Sequence, residues 1–351
     1  MDSILIAMSG GVDSSVAAKL LLDQGFHAQG GTMVLHENPA CGSADGVENA
    51  RAVAEHLGIP FHLFDFRDRF CENVIDRFIR AYEACETPNP CIACNRYLKF
   101  GALLDAANEL GLSLIATGHY AQIERAENGR FLLKKACDPT KDQSYVLYHL
   151  TQEQLARTRF PLGGMTKAEV RAKAEEYGFV NASQKDSQDI CFVPDGDYAG
   201  FIERNTGKVY PSGEFADQNG NVLGEHKGII RYTIGQRKGL GLALPQPMYV
   251  CEKDLATNRV ILGTNDTLFS ATLTANDLNW ISIPELNTPI RVKARIRYQQ
   301  PEQWATVEPL GDDLVRVAFD EPQRAIAYGQ AVVFYDGDIV VGGGTICKET
   351  R

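Results

Sequence analysis

The segment Ser9–Ser15, SGGVDSS, constrains this chain more than any other, because an apolar run leads straight into it and a helical pattern leaves it. Ile4, Leu5, Ile6, Ala7 and Met8 form a short continuous apolar run, the mark of a strand buried on both faces. Val16, Ala17, Leu20, Leu21 and Gln24 follow at helical spacing, and Gly25 stands where that helix should stop. Between them, Gly10 and Gly11 let the backbone come close to a ligand, while Ser14 and Ser15 suit a first helical turn whose N–H groups face an anion. No lysine follows the glycines, so the GxxxxGK[ST] loop is excluded, and GxGxxG is absent as well. The competing reading is a serine and glycine turn that only caps a helix. An acidic residue inside a phosphate loop, Asp13, makes chemical sense when a cation is present.

The same alternation runs through the N-terminal half and predicts an α/β domain with a parallel sheet covered by helices. Phe26–Leu35 reads as a second strand with Gly30, Gly31 and Met33 near its end, where open α/β sheets bind ligands. Val47 to Leu57 gives a helix ending at Gly58, Pro60–Phe66 a third strand, and Phe70 to Tyr82 a longer helix. Leu114–Thr117 is the next buried strand, ending in Gly118 and His119. His119 reads as a packed or capping histidine as readily as a functional one, and no catalytic role is given to it. Asn128-Gly129 between Tyr120–Glu124 and Phe131–Lys135 predicts a hairpin. The polar tetrad Lys141, Asp142, Gln143 and Ser144 precedes the helix-like 145–150. Thr166 and Glu169 form a capping box for a helix to about Tyr177.

The alternation breaks at Cys85–Asn95, CETPNPCIACN, where two prolines argue against a helix and the pair Cys91 and Cys94 precedes the next helical pattern. Cys94 is expected at or near the N-terminus of the helix carrying Leu98, Leu103, Leu104, Ala107 and Leu110, where free N–H groups lower a thiol pKa. A CxxC pair alone reads as a dithiol, as half of a metal site, or as chance. A zinc site would want another cysteine or histidine that the spacing does not place. The stretch 185–193, KDSQDICFV, repeats the Lys-Asp theme and ends in Cys191 against apolar neighbours.

At 351 residues the chain has material for two or three domains, and nine cysteines with no signal peptide point to a reducing, cytoplasmic setting. No apolar stretch approaches the roughly 20 residues of a membrane span. The net charge of −10 argues against a protein that coats nucleic acid generally, while leaving room for a local basic face. Composition changes near Pro194. A first domain over 1–195, a small central domain over 196–266 and a C-terminal β-barrel or sandwich over 267–351 are expected. A short helix over Tyr198–Asn205 and the basic, glycine-punctuated 232–242 fall in the second. In the third, Arg291, Lys293, Arg295 and Arg297 alternate, as four side chains on one face of a strand would, offering a phosphate-contacting stripe or an ordinary charged face.

SGGVDSS resembles the PP-loop of the ATP pyrophosphatase superfamily, whose members split ATP into AMP and pyrophosphate. With TPNPCIACNRYLKFG, ATGHYAQI, KDQSYVLY, KDSQDICF and RYTIGQRKGLG, the whole chain resembles the tRNA-specific 2-thiouridylases. That resemblance implies adenylation of the C2 oxygen of the tRNA wobble uridine, then its replacement by sulfur. It implies ATP and Mg2+ as cofactors, tRNA as a partner, and a sulfur donor that is a cysteine desulfurase or relay protein. It assigns ATP binding to Ala7, Met8, Ser9, Gly10, Gly11, Val12, Asp13, Ser14, Met33 and Gly118, the persulfide to Cys191 and the second catalytic thiol to Cys94. Asn89, Pro90 and Cys91 would face the target base, and Lys141, Asp142, Gln143, Arg297 and Tyr298 would contact tRNA. Resolution of the persulfide by Cys94 would leave a Cys94–Cys191 disulfide for a cellular reductant to reopen. Some members of the family carry an acidic residue where this chain has Cys91, which admits an alternative: an iron–sulfur cluster held by Cys91, Cys94 and Cys191. Another adenylating ligase or amidating synthetase would fit the loop without explaining the cysteines. A tRNA-binding or sulfur-relay protein without adenylation would fit the basic stripe without explaining the loop.

Overall fold

A computed structural model describes residues 2–36, 44–182, 184, 190–311 and 313–348. The first domain is built on a parallel sheet: β1 (Ser3–Ala7), β2 (His27–Val34), β3 (Phe61–Asp65), β4 (Leu114–Ala116) and the short β7 (Thr158–Arg159), in spatial order β3-β2-β1-β4-β7. Ile4, Leu5 and Ile6 are fully buried in its centre, as the continuous apolar run requires. The chain runs outward from β1 through β2 to β3, then returns to the other side of β1 with β4. The carboxyl ends of β1 and β4 therefore flank the point where strand order reverses, the crevice in which open α/β sheets bind ligands. Helix α1 (Val12–Asp23) leaves β1 directly, and α2 (Ala44–Leu57) follows β2.

Two long helices cover the same sheet. Helix α3 spans 67–83 and contains a π-helical stretch, Cys71–Ile75; helix α4 spans 90–109, with α-helical Pro90–Cys94 followed by π-helical Asn95–Ala102 and α-helical Leu103–Glu109. Here the expectation of a loop across 85–95 is corrected. Pro90 occupies the first helical position, where its missing N–H costs nothing, and Asn89 caps it by accepting the Cys91 N–H at 3.1 Å. Over 145–150 the helix-like pattern forms only a single 3₁₀ turn, Ser144–Leu147. Helices α5 (Gln152–Arg157) and α6 (Lys167–Glu176) both start with capping boxes, the second being the expected pair Thr166 and Glu169.

The hairpin around Asn128-Gly129 forms as β5 (Ala121–Arg125) and β6 (Phe131–Lys135), but β6 pairs across the domain boundary. Beyond helix α7 (Tyr198–Thr206), strands β8 (Gly213–Asp217), β9 (Val222–His226), β10 (Tyr249–Asp254) and β11 (Arg259–Gly263) form a small sheet ordered β10-β11-β8-β9. Phe192 ties it to the first domain, stacking edge-on against Phe70 and Phe78 and packing on Phe201 of α7. The last strands, β12 (Phe269–Trp280), β13 (Ile290–Arg295), β14 (Gln303–Gly311), β15 (Leu314–Arg324), β16 (Ala331–Asp336) and β17 (Ile339–Cys347), run β12-β15-β14-β13-β16-β17 and close where β12 pairs β17. Among the described residues no helix is long and apolar enough to cross a membrane.

The hairpin meets this barrel at β17, where Ile339 pairs Lys134, and a chain of charges seals the seam. Lys135 Nζ donates to Glu302 at 2.8 Å, Arg295 reaches Glu302 at 3.2 Å and Asp142 at 3.8 Å, and both cations lie over the Tyr335 ring. The cationic stripe is corrected accordingly. Strand β13 ends at Arg295, whose charge is turned into this seam; Arg297 lies beyond the strand and donates to the Ala325 and Ile234 carbonyls at 2.7 and 3.4 Å. Arg291 and Lys293 remain on the outer face, both over Trp304, with Arg291 also paired to Asp320. Because removing one member of a buried charge set strands its partners, Arg295→Met should lower resistance of the seam to urea by about 3 kcal/mol. Urea titration followed by near-ultraviolet circular dichroism measures this, and an unchanged midpoint would show that backbone pairing alone holds the hairpin.

Candidate functional site

The crevice is built from the loop upward. Gly11 caps α1 with extended backbone and no side-chain acceptor, so the N–H groups of the first turn are left uncapped by any side chain. The loop's shape is held from within: Ser14 Oγ donates to the Gly11 carbonyl at 3.0 Å and accepts the Ser9 N–H at 3.2 Å, while Ser15 Oγ donates to the Gly11 carbonyl at 3.1 Å. Gly10 adopts φ +79°, and a Cβ there would meet the Gly46 carbonyl oxygen at 2.2 Å. Met8 and Val12 are buried, so their backbones rather than their side chains line the cradle. Met33 is half-buried near the end of β2. Gly118, just past β4, lies so close that a Cβ would stand 2.9 Å from the Asp13 carbonyl carbon and the Ser14 nitrogen.

Three residues that sequence reasoning did not single out hold this loop. Lys167, at the start of α6, donates to both Asp13 carboxylate oxygens at 2.7 and 2.8 Å, and Tyr120 donates to Oδ1 at 2.8 Å. Asn181 donates to the Gly10 carbonyl at 2.6 Å and to Ser15 Oγ at 3.0 Å from a buried position. A lysine at a helix start and an asparagine after a valine carry no local signal of such contacts. Both Asp13 oxygens are thus already engaged, so a magnesium ion would be held here by Asp13 only in exchange for the Lys167 ammonium.

Cys91 and Cys94 stand on the first turns of α4, at the same edge of the sheet. Cys91 touches solvent and Cys94 is half-buried, and both are thiols. The expected low thiol pKa at Cys94 is corrected. The helix starts four residues earlier than anticipated, and desolvation by the surrounding protein raises Cys94 to about 12 while Lys99 lowers it less. Burial raises Cys91 also, and the charge of Cys191 raises both thiols, which places the three cysteines within electrostatic reach of one another. Cys191 is exposed next to the anchored Phe192. Residues 185–189 of the second Lys-Asp stretch lie outside the described residues, as does Cys41. Among the described residues no three Cys, His, Asp or Glu side chains converge to hold a metal ion, so the three thiols do not fit an iron–sulfur cluster as they stand. His119 is buried, bonded through Nδ1 to Thr117 Oγ1 at 2.7 Å, and pushed well below its usual pKa by burial.

The two expected RNA-contacting segments are brought together beside these thiols. Tyr298, 38% exposed, donates its hydroxyl to the Asp142 carbonyl at 3.1 Å and lies within electrostatic reach of Cys91. The Asp142 carboxylate itself turns inward, accepting from the backbones of Ala136 and Ser144 and from Ser144 Oγ. Gln143 is half-buried and accepts the Tyr120 N–H at 2.9 Å, and Lys141 is half-exposed.

Three family profiles cover the chain: one described as "tRNA methyl transferase HUP domain" over residues 2–195, one as "tRNA methyl transferase PRC-barrel domain" over 199–264, and one as "Aminomethyltransferase beta-barrel domain" over 270–346. The chain is 52% identical to the tRNA-specific 2-thiouridylase MnmA of Acetivibrio thermocellus over 98% of each chain. It is 51% identical to the MnmA of Symbiobacterium thermophilum, over 98% of this chain and 91% of that one. A solved 4-thiouridine synthetase in complex with RNA and ATP is a more distant likeness, 20% identical with a TM-score of 0.38, covering 59% of this chain and 50% of that one. This chain therefore belongs to the family of tRNA-specific 2-thiouridylases, a family of tRNA sulfurtransferases.

With a pKa near 12, only about one Cys94 in ten thousand is a thiolate at pH 8. Alkylation of Cys94 by iodoacetamide in the free protein should therefore climb about tenfold per pH unit from pH 7 to 10 without levelling. Mass spectrometry of quenched digests reads this, and a plateau between pH 7 and 9 would place a thiolate there instead.

Proposed function

We propose that this chain makes 2-thiouridine at the wobble position of tRNA, activating the base with ATP and supplying sulfur from a persulfide on Cys191. The observation that carries this reading is an uncapped phosphate loop at the end of β1 together with three thiols in mutual electrostatic reach, of which Cys94 packs in the same cluster as Met33 at the end of the neighbouring β2. Methyl transfer, the activity named in two profile descriptions, would use neither a pyrophosphate cradle nor a set of thiols.

In this reading Ala7–Ser14, Met33 and Gly118 hold ATP, with Asp13 binding the magnesium ion that neutralises the phosphates. The uridine C2 oxygen attacks the α-phosphorus and pyrophosphate leaves. The terminal sulfur of the Cys191 persulfide then attacks C2, and AMP departs with the electron pair of the C2–O bond. The Cys94 thiolate attacks the Cys191 sulfur, the S–S pair passes to the sulfur on C2, and thiouridine is released beside a Cys94–Cys191 disulfide. A cellular dithiol reductant reopens that disulfide. Asn89–Cys91 form the floor on which the base sits, the segment Lys141, Asp142 and Gln143 meets the tRNA together with Tyr298, and Arg297 braces that face from beneath. The division of labour follows the chain: an adenylating domain over 1–195, a central domain over 196–266, and a tRNA-contacting barrel over 267–351. A cysteine desulfurase or relay protein loads Cys191.

Supplied with ATP, a persulfide donor and unmodified tRNA, the protein should produce thiolated wobble uridine and AMP in equal amounts; AMP without thiolation would favour another adenylating ligase. Asp13→Asn should abolish AMP release while leaving tRNA affinity within about twofold, because the loop and the Tyr298 face are different elements; equal loss of both would refute that separation. Cys94→Ser and Cys191→Ser should each eliminate product, whereas Cys91→Ser keeps appreciable activity. Stoichiometric iron in anaerobically purified protein, lost with activity in Cys91→Ser, would replace the persulfide with a cluster.

A further inference from the structure

The phosphate loop Ser9–Ser15 contains no lysine or arginine, yet a polyphosphate seated there brings several negative charges. The uncapped N–H groups of the first turn of α1 supply partial charge and no full one. The fold brings a cation from 154 residues further along the chain: Lys167 Nζ donates to both Asp13 oxygens at 2.7 and 2.8 Å. Its place is set by packing. Val170 and Ala174 of α6 share one buried cluster with Val16 and Ala17 of α1, and the Lys167 N–H donates to Asp138 at 3.0 Å. Asp13 stands in the first turn of α1, so the ammonium lies against the same turn whose N–H groups would meet a phosphate.

This pair is largely withdrawn from water, the lysine side chain being 11% exposed and the aspartate 31%. Removing either partner from such a pair strands the other charge. A metal ion alone at Asp13 would displace the ammonium and leave it without a counter-ion, and a phosphate alone at the ammonium would do the same to the carboxylate. Metal and phosphate arriving together satisfy both. The carboxylate keeps its place meanwhile, because the Tyr120 hydroxyl donates to Oδ1 at 2.8 Å independently of the lysine. The ammonium can change partner without its helix moving, since a flexible four-carbon stem separates it from the first residue of a capped helix.

We propose that Lys167 is a phosphate ligand that changes partner: magnesium takes the Asp13 carboxylate, and the displaced ammonium passes to an oxygen of the pyrophosphate held by the loop. This rests on the nucleotide-binding part of the reading above and is independent of the sulfur chemistry. The carboxylate gains a dication in place of a monocation, and the ammonium gains a more highly charged partner. Departure of magnesium pyrophosphate reverses the exchange, and the re-formed pair then competes with rebinding of either component.

Binding of Mn2+ alone, read by electron paramagnetic resonance, and of magnesium pyrophosphate, read by calorimetry, tests this on the full-length protein without tRNA. Lys167→Met should tighten Mn2+ by about fivefold or more, because a built-in competitor is gone, and weaken magnesium pyrophosphate by about tenfold to a hundredfold, as loss of one charged hydrogen bond predicts. Shifts of opposite sign are the signature, since a lysine that merely supports the fold would weaken both. Lys167→Arg should return both toward the parent values, and Asp13→Asn should abolish Mn2+ binding. Lys167→Gln replaces the methionine variant if a thermal melt shows that one to be unfolded. Unchanged Mn2+ affinity, losses of both ligands, or pyrophosphate binding that is unchanged or tighter would each overturn the proposal. Opposite shifts alongside a parent protein that fails to thiolate tRNA would refute the function and leave the exchange standing.

Discussion

The run of charges Lys135, Glu302, Arg295 and Asp142 is the contact on which the composite site depends. Their side chains are at most 19% exposed, so the set has given up most of its hydration, and its attraction does no more than offset that loss. What it contributes is register. With Arg295 drawn inward, the turn after β13 carries Tyr298 onto the Asp142 backbone, beside Cys91. A wall of the crevice formed by the last domain is thereby fixed relative to thiols that belong to the first. The apolar packing agrees, since Leu5, Phe100 and Ile115 of the α/β domain share one buried cluster with Ala331, Val333 and Tyr335 of the barrel.

The loop was legible in the sequence because everything that makes it is local. A buried strand, two glycines and a helix in direct succession over Ser3–Asp23 leave little choice of backbone, and the capping box at Thr166 is local in the same way. The misread positions are those decided by context. Pro90 reads as a helix breaker because a proline in isolation says nothing of whether it is interior or first. The pKa of Cys94 was expected to fall from its place on a helix, but the protein packed around that helix outweighs the dipole. Arg295 and Arg297 alternate with apolar residues as outward side chains do, yet a hairpin over 150 residues earlier and the Ile234 loop cover them. Lys167, Tyr120 and Asn181 converge on the loop only through the fold.

Cys191 shows the complementary arrangement of a mobile task beside a rigid anchor. Phe192 is 2% exposed and ringed by Phe70, Phe78 and Phe201, so the backbone of its neighbour is held while the Cys191 side chain remains in solvent. Under the persulfide proposal, a sulfur loaded from outside and delivered inside needs both properties.

The π-helical stretch in α4 also fixes how many residues this chain can place between its thiols and its core. A π-turn is an α-helix that has absorbed surplus chain, so the eight residues Asn95–Ala102 wind fewer turns than an α-helix of equal length. Removing a residue there would let the helix relax to ordinary winding, and the two ends would then rotate against each other. Leu103 and Leu104 are pinned in the core beneath the sheet, so the rotation would fall on Cys91 and Cys94. Spacing between the thiols and the leucines is thus a phase angle, and a deletion could silence the crevice without touching any residue that lines it.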